Sequence, residues 1–393
     1  MVEWKKLGDI MTIVRGASPR PIKNYITNDG SGANWIKIGD VAPGAKYITS
    51  ANEKITKEGA EKSRYLHSGD FVLSNSMSFG RPYILKIDGC IHDGWIAMSD
   101  YEKFLSSGYL YEILNSNNVQ NYWKIKANNG GAMTNLNSDI VRETVIPIPS
   151  FSEQTRIVGI LDTFTASIEN LKEQIAERRK QYEHYRDQLL DLEGKEIKGT
   201  LSFGNDFQLK ARIGWQGLTK KEYKTKGEYK LVTGTDFTKN LRIDFDSCVY
   251  VDKERYEQDD YIKLKVGDVL ITKDGTLGKV AYIDALEMPA TLNGGVFVVR
   301  DLENRVIPKY LMYYLTSNNF NNWMKQNHTT GSIQHLTQKL LSSFTIPVFT
   351  KSEQSRIVSI LDTFEASTSN LEAQLKEREK QYEFYRNKLL TFD

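Results

Sequence analysis

The sequence predicts an α+β protein made by internal duplication. Two strand-rich globules are joined by two long helices, packed as an antiparallel coiled coil with pseudo-two-fold symmetry. The first observation behind this is a repeat. Ile146-Pro147 followed by Ser152-Glu153-Gln154-Thr155-Arg156-Ile157-Val158 returns as Ile346-Pro347 followed by Ser352-Glu353-Gln354-Ser355-Arg356-Ile357-Val358. Lys180-Gln181-Tyr182-Glu183-His184-Tyr185-Arg186 returns as Lys380-Gln381-Tyr382-Glu383-Phe384-Tyr385-Arg386. Over residues 146–193 about 28 of 48 positions are identical at an offset of about 200, without a gap. The second observation is the spacing of apolar residues within the repeats. The third is that the segments before them share a framework and little else. Gly69-Asp70-Phe71-Val72-Leu73-Ser74 matches Gly267-Asp268-Val269-Leu270-Ile271-Thr272, and Gly80-Arg81 matches Gly278-Lys279. Two copies are too few for a solenoid, so a two-sided target or a pair of identical partners is expected.

Along residues 1–150, short alternating apolar stretches lie between Gly, Asn and Ser turns. Residues 34–38, 70–74 and 83–87 read as strands, the last closed by Asp88-Gly89, and residues 105–126 read as one helix. Residues 194–350 repeat this order. Strands are expected at Tyr229–Val232, Val269–Thr272 and 279–283, then a helix over 309–326. In the repeats, Ser152 is the expected N-cap, with Glu153 favoured by the helix dipole in the first turn. Phe164, Ile168, Leu171, Ile175, Tyr182, Tyr185, Leu189 and Leu192 follow alternating four-and-three spacing. Phe364, Leu371, Leu375, Tyr382, Tyr385, Leu389 and Phe392 form the second seam. Arg178 and Arg378 interrupt the seams at matching places. They either set register and partner choice or snorkel outward with buried stems. At ~1.5 Å per residue, residues 152–192 span about 60 Å, which would set the globules at opposite ends of a rod. A homodimeric coiled coil is the competing arrangement.

The 393 residues carry a net charge of +2. By segment the first globule holds roughly +2, the second roughly +4 and the two repeats together roughly −4. That distribution suits phosphate contact by the globules, and equally a charge fluctuation without function. Cys90 and Cys248 are the only cysteines, which points to a reducing compartment and excludes a disulfide scaffold or a cysteine zinc cluster. No apolar run of spanning length and no leader is present, so a cytoplasmic protein without membrane attachment is expected. Gly275-Thr276-Leu277-Gly278-Lys279 is too short for a phosphate loop and lacks its hydroxyl. The five histidines have no metal-ligand spacing, and Asp100-Tyr101-Glu102-Lys103 reads as a solvated charge run rather than a nuclease cluster. Without a catalytic constellation, a binding function is expected rather than catalysis, and no metal site.

Ser-Glu-Gln-x-Arg-Ile-Val-x-Ile-Leu-Asp with Lys-Gln-Tyr-Glu-x-Tyr-Arg, each present twice, resembles the conserved regions of type I restriction–modification specificity subunits. The opening Trp4-Lys5-Lys6-Leu7-Gly8-Asp9-Ile10, the Gly267–Leu270 stretch and Gly331-Ser332-Ile333-Gln334-His335-Leu336 are similar to that family's target-recognition domains. The resemblance covers essentially the whole chain. It implies a first target-recognition domain at 1–150, a central conserved helix at 151–193, a second recognition domain at 194–350 and a C-terminal conserved helix at 351–393. It implies that each globule reads one half of a bipartite site in double-stranded DNA. The helices would hold two methyltransferase subunits, joined by motor-nuclease restriction subunits. S-adenosylmethionine, ATP and Mg would be bound by those partners, with no cofactor in this chain. A coiled-coil scaffold without nucleic acid and a stand-alone nuclease are the alternatives. One departure is that Asn75-Ser76-Met77-Ser78-Phe79-Gly80 lacks the first glycine, which the second copy keeps as Gly275.

Base edges are read by Arg, Lys, Asn, Gln, Ser and Thr that reach a groove, here from loops. In the first globule the candidates are Arg15, Ser18, Arg20 and Lys23, then Asn75, Ser76, Ser78 and Arg81, then Asn128, Asn129, Thr134 and Asn135. In the second they are Lys273, Asp274, Thr276 and Lys279, then His328, Thr329, Thr330, Ser332, Gln334 and His335. Arg212, Trp215, Gln216, Lys220 and Lys221 form a further basic, amide-rich stretch with an aromatic.

Overall fold

A computed structural model describes residues 2–42, 44–75, 79–213, except 129–134 and the Asn128 side chain, together with 217–327 and 336–392. The chain divides into two compact units, residues 1–171 with 374–393, and residues 172–373. Each unit therefore holds one globule, half of the central helix (Phe151–Leu190) and half of the C-terminal helix (Lys351–Leu389).

In the first unit the strand order is Thr12–Arg15, Trp95–Ser99, Phe71–Ser74, Pro82–Leu85, Tyr47–Ile48, mostly antiparallel. A second sheet runs Ile26–Thr27, Glu53–Ile55, Ala33–Ile36, Gly89–Ile91, Arg64–Leu66. Alternation along the pleat divides the core between two layers. Phe71, Leu73, Ile96 and Met98 face the cluster containing the helices, whereas Val72, Trp95 and Ala97 face the cluster shared with the second sheet. The strand Phe71–Ser74 is thus buried on both faces, which is why it reads as a continuous apolar run. The second unit repeats the scheme with fewer strands. Gln208–Lys210, Val296–Arg300, Val269–Thr272 and Val280–Tyr282 form one sheet, and Val249–Val251, Tyr229–Val232 and Ala290–Leu292 the other. Val269 and Ile271 face the helical cluster and Leu270 the opposite one.

The strands at Tyr229–Val232 and Val269–Thr272 coincide with expectation. Each expected globular helix is instead two: Ser107–Leu114 with Asn117–Asn128, and Pro308–Thr316 with Asn318–Asn327. Buried Ser116 and Ser317 explain the break, because their hydroxyls donate to the Ile113 and Tyr314 carbonyls at 2.7 Å and compete with the helical ladder. The strand expected at 83–87 is Pro82–Leu85, and Gly89 already opens the next strand, Gly89–Ile91.

Ser152 lies inside its helix. The caps are Ser150 and Thr350, whose hydroxyls accept from the Glu153 and Glu353 amides. The repeated Glu and Arg form ion pairs one turn apart, Arg156 with Glu153 and Arg356 with Glu353. The repeated Gln is fully buried and joins each helix to its globule. Gln154 accepts from the Ser106 amide at 2.8 Å and donates to the Phe104 and Pro149 carbonyls. Gln354 accepts from the Ile307 amide at 2.7 Å and donates to the Arg305 and Phe349 carbonyls. Ile157 and Leu161, and likewise Ile357 and Leu361, insert into the adjoining cores.

Within each unit the two half-helices run antiparallel. In the first, Phe164 stacks on Tyr385 at 5.3 Å and the Arg378 guanidinium lies over Phe164. In the second, Tyr185 stacks on Phe364, Arg178 lies over Phe364, and Arg179 pairs with Glu372. The interrupting arginines therefore neither break the seam nor simply snorkel; they fill it against an aromatic face. The first seam also ends early, since the central helix stops at Leu190 and Leu192 is exposed, whereas Phe392 of the second packs against the core.

Polar contacts tie each globule to its half-helices differently. In the first unit Tyr382 donates to buried Glu112 at 2.8 Å. In the second, Arg242 pairs with Glu365, and Tyr313 donates to Asp362. Burial raises the Glu112 carboxyl above the ordinary range, against the pull of the Tyr382 hydrogen bond and the nearby Lys46 and Arg386 charges.

Replacing Gln154 by Leu strands one amide and two carbonyls in the core. It should cost the first unit about 3 kcal/mol, seen as lost amide-exchange protection over residues 104–114. Because the folded Glu112 pKa is raised, its contribution is fully present below the unfolded value and lost as pH rises through the folded value. Glu112→Gln keeps the acceptor for Tyr382. It should raise the thermal midpoint above wild type at pH 8, with the difference vanishing near pH 4; a difference independent of pH would contradict this assignment.

Candidate nucleic-acid interface

In the first globule, three separated segments meet at the turn before the strand Trp95–Ser99. The Asp93 carbonyl accepts from Arg15 Nε at 3.0 Å and from Asn75 Nδ2 at 3.0 Å. Its carboxylate accepts from Ser18 Oγ at 2.8 Å and from Arg20 Nη2 at 3.2 Å. Its amide donates to Ser18 Oγ. The Ser18 hydroxyl, more than the neighbouring charges, holds the Asp93 carboxyl below its ordinary range. Gly16 is required here, since a Cβ would lie 2.1 Å from the His92 carbonyl oxygen. Arg15, Ser18, Arg20 and Asn75 are thus brought together. Arg20 is 82 % exposed, whereas Asn75 is buried and also ties its amide to Gly94 and its carbonyl to Leu136.

Of the remaining first-globule candidates, Lys23, Arg81 and Asn135 are exposed, and Asn128 ends its helix. Arg81 follows Gly80, whose φ of +68° and whose contact with the Trp123 ring both exclude a side chain. Ser76, Ser78, Asn129 and Thr134 lie outside the described residues, as do Trp215, Gln216, His328, Thr329, Thr330, Ser332, Gln334 and His335.

The second globule reuses the frame with other contents. The Lys273 amide donates to Gly295, as Asn75 does to Gly94, and the Leu336 amide donates to the Lys273 carbonyl, as Leu136 does to Asn75. Lys273 Nζ lies over the Phe297 ring, while Asp274, Thr276 and Lys279 are exposed on the loop. Gly275 and Gly278 both take positive φ. Lys220 and Lys221 are exposed in the short helical turn Lys220–Glu222.

Arg212 is a correction. It is 2 % exposed, and its guanidinium donates to the Leu292 and Arg255 carbonyls, Gln258 Oε1 and Thr291 Oγ1. Burial beside Arg255 lowers its pKa. All this directs the side chain into the globule rather than toward a groove. Sequence reasoning also passed over Asp93. The signal was present, since His92-Asp93-Gly94 and Asn293-Gly294-Gly295 are turn formers at matching places before matching strands.

Among the described residues no group of three or more His, Cys, Asp or Glu is placed to hold a metal, and no helix is long and apolar enough to cross a membrane. Cys90 and Cys248 are buried free thiols. Arg212→Met should lower the thermal midpoint while leaving the salt dependence of any DNA binding unchanged, because a buried guanidinium displaces no counterions. A reduced salt slope with unchanged stability would return Arg212 to the interface.

Residues 1–178 and 216–380 match the family model of the type I restriction modification DNA specificity domain. The chain is 31% identical over 265 residues to the EcoR124I/EcoR124II specificity subunit of Escherichia coli, covering 63% of each chain. It is 26% identical to a putative type I specificity subunit of Haemophilus influenzae, covering 100% of this chain and 96% of the relative. Its fold is similar to that of a chain solved in a study of type I R-M system assembly, with a TM-score of 0.67, 18% identity and coverage of 99% and 96%. It is also similar to the HsdS subunit of Thermoanaerobacter tengcongensis, with a TM-score of 0.51, 18% identity and the same coverage. The helix–globule junction, occurring twice, and the matching domain model together mean that the chain belongs to the type I restriction–modification DNA specificity family.

Proposed function

We propose that this chain is the non-catalytic recognition subunit of a type I restriction–modification complex. Each globule reads one half of a bipartite site in double-stranded DNA, and the helices hold two copies of a methyltransferase subunit. Motor-nuclease subunits join that assembly. S-adenosylmethionine, ATP and Mg are then the partners' ligands, and the complex works in the cytoplasm.

The contrast between the two halves of each unit carries this reading. The helix grooves are chemically the same: Phe164, Tyr385 and Arg378 in one unit, Phe364, Tyr185 and Arg178 in the other. Identical grooves suit identical partners, and aromatic residues with arginine are favoured interface anchors. The loops differ at matching places. The first globule offers Arg15, Arg20 and Arg81, and the second offers Lys273, Lys279, Lys220 and Lys221. Different side chains on one frame suit different base sequences.

The test is exchange of residues 194–350 for the equivalent globule of a relative, followed by methylation-site mapping in cells that carry the partner subunits. One half-site should change and the other persist. Glu365 adds a condition, since its carboxylate is half-buried against Arg242, which leaves with the exchanged globule. The exchange should assemble when the incoming globule supplies a cation there or when Glu365→Thr is added, Thr being the residue of the other repeat at 165. Change in both half-sites, or in neither, would overturn the division of labour.

A further inference from the structure

We propose that Asp93 is the positioning residue of the first reading surface, holding Arg15, Ser18, Arg20 and Asn75 in one arrangement. The inference rests on the DNA-recognition reading above and adds to it which residue sets the first half-site.

Five hydrogen bonds converge on Asp93 from two other segments, residues 15–20 and Asn75. Loop side chains without such a hub sample many rotamers, and binding must then freeze them. The bonds are not equal. The ion pair to Arg20 is exposed and holds it only weakly. The contacts with Ser18 and Asn75 are partly buried and fix the turn itself. Asp93 therefore shapes the turn firmly and orients Arg20 loosely, leaving that guanidinium free to pass to a base edge or phosphate. An anion in such a surface also opposes nonspecific phosphate contact, so it trades general affinity for discrimination.

The second globule has Gly294 at the corresponding place, between the turn residue Asn293 and Gly295. Among the described residues only the Arg212 carbonyl, at 3.8 Å, lies near a Cβ built there. Arg212, on the segment matching residues 15–20, faces inward onto Leu292 and Thr291.

The experiment uses the assembled complex, with methylation-site mapping and salt-series binding to specific and random duplexes. Asp93→Ala should lower discrimination at the first half-site about tenfold, leave the second half-site unchanged, and raise affinity for random DNA, with a salt slope steeper by about one. Asp93→Asn keeps an acceptor for Ser18 and should show the affinity gain with a smaller loss of discrimination. Gly294→Asp adds the same charge at the corresponding turn of the second globule and should leave the first half-site unchanged. A purely structural role predicts the opposite for Asp93→Ala, a uniform loss of affinity with an unaltered site. Should Asp93→Ala fail to fold, Asp93→Asn decides, and an unaltered first half-site with unchanged random-DNA affinity overturns the proposal. A wild-type complex without sequence-dependent methylation would instead overturn the DNA reading itself.

Discussion

A buried side-chain amide, used twice, is the constraint on which the rest of the structure depends. Gln154 and Gln354 each satisfy one amide and two carbonyls at the start of a long helix, where unpaired backbone groups would otherwise be sealed from water. A neutral amide suits the place because it both donates and accepts. A carboxylate there would lack the donor and add a desolvation penalty. The amide reaches the segment that leads into the next helix, so it fixes the entry of the long helix relative to the globule. Ile157 with Leu161, and Ile357 with Leu361, then make that junction part of the core. The repeated Glu and Arg beside the Gln pair with each other at the surface and contribute far less.

From that junction the sheets carry the reading loops. The strands Phe71–Ser74 and Val269–Thr272 are buried on both faces, so their register is tightly specified. A loop follows each strand. Gly80 and Gly278 close each loop back on its strand, through amides that donate to the Ser74 and Thr272 carbonyls. Between those anchors the two sequences diverge, with Asn75 where the second globule has Lys273.

The helices use charge in a seam without leaving it unpaired. Arg178 and Arg378 lie on aromatic faces supplied by the opposite half-helix, a contact that tolerates partial exposure. Glu112 and Glu365 add a different polar key in each unit. One accepts from Tyr382 and the other pairs with Arg242. Near-identical helices are thus matched to distinct globules through a few half-buried groups.

The duplication, the two long helices and the paired central strands were legible in the sequence because they rest on local or periodic signals. Such signals are a repeated motif, a heptad-like spacing and a short apolar run after Gly-Asp. The role of Gln154 was not legible, although its motif was, because a glutamine in a polar helical turn looks solvated until the partner carbonyls of Phe104 and Pro149 are placed. Arg212 was misread for the same reason: its basic neighbourhood pointed outward, while Leu292, Arg255 and Gln258, far along the chain, enclose it. The split at Ser116 was hidden because a single hydroxyl bonding to Ile113 outweighs an otherwise helical pattern. Asp93 reads as a turn former in the sequence, and only the tertiary structure brings Arg15, Ser18, Arg20 and Asn75 to it. Periodicity and repetition determine which elements exist; long-range hydrogen bonding, which has no signature along the chain, decides which side chains the folded surface presents.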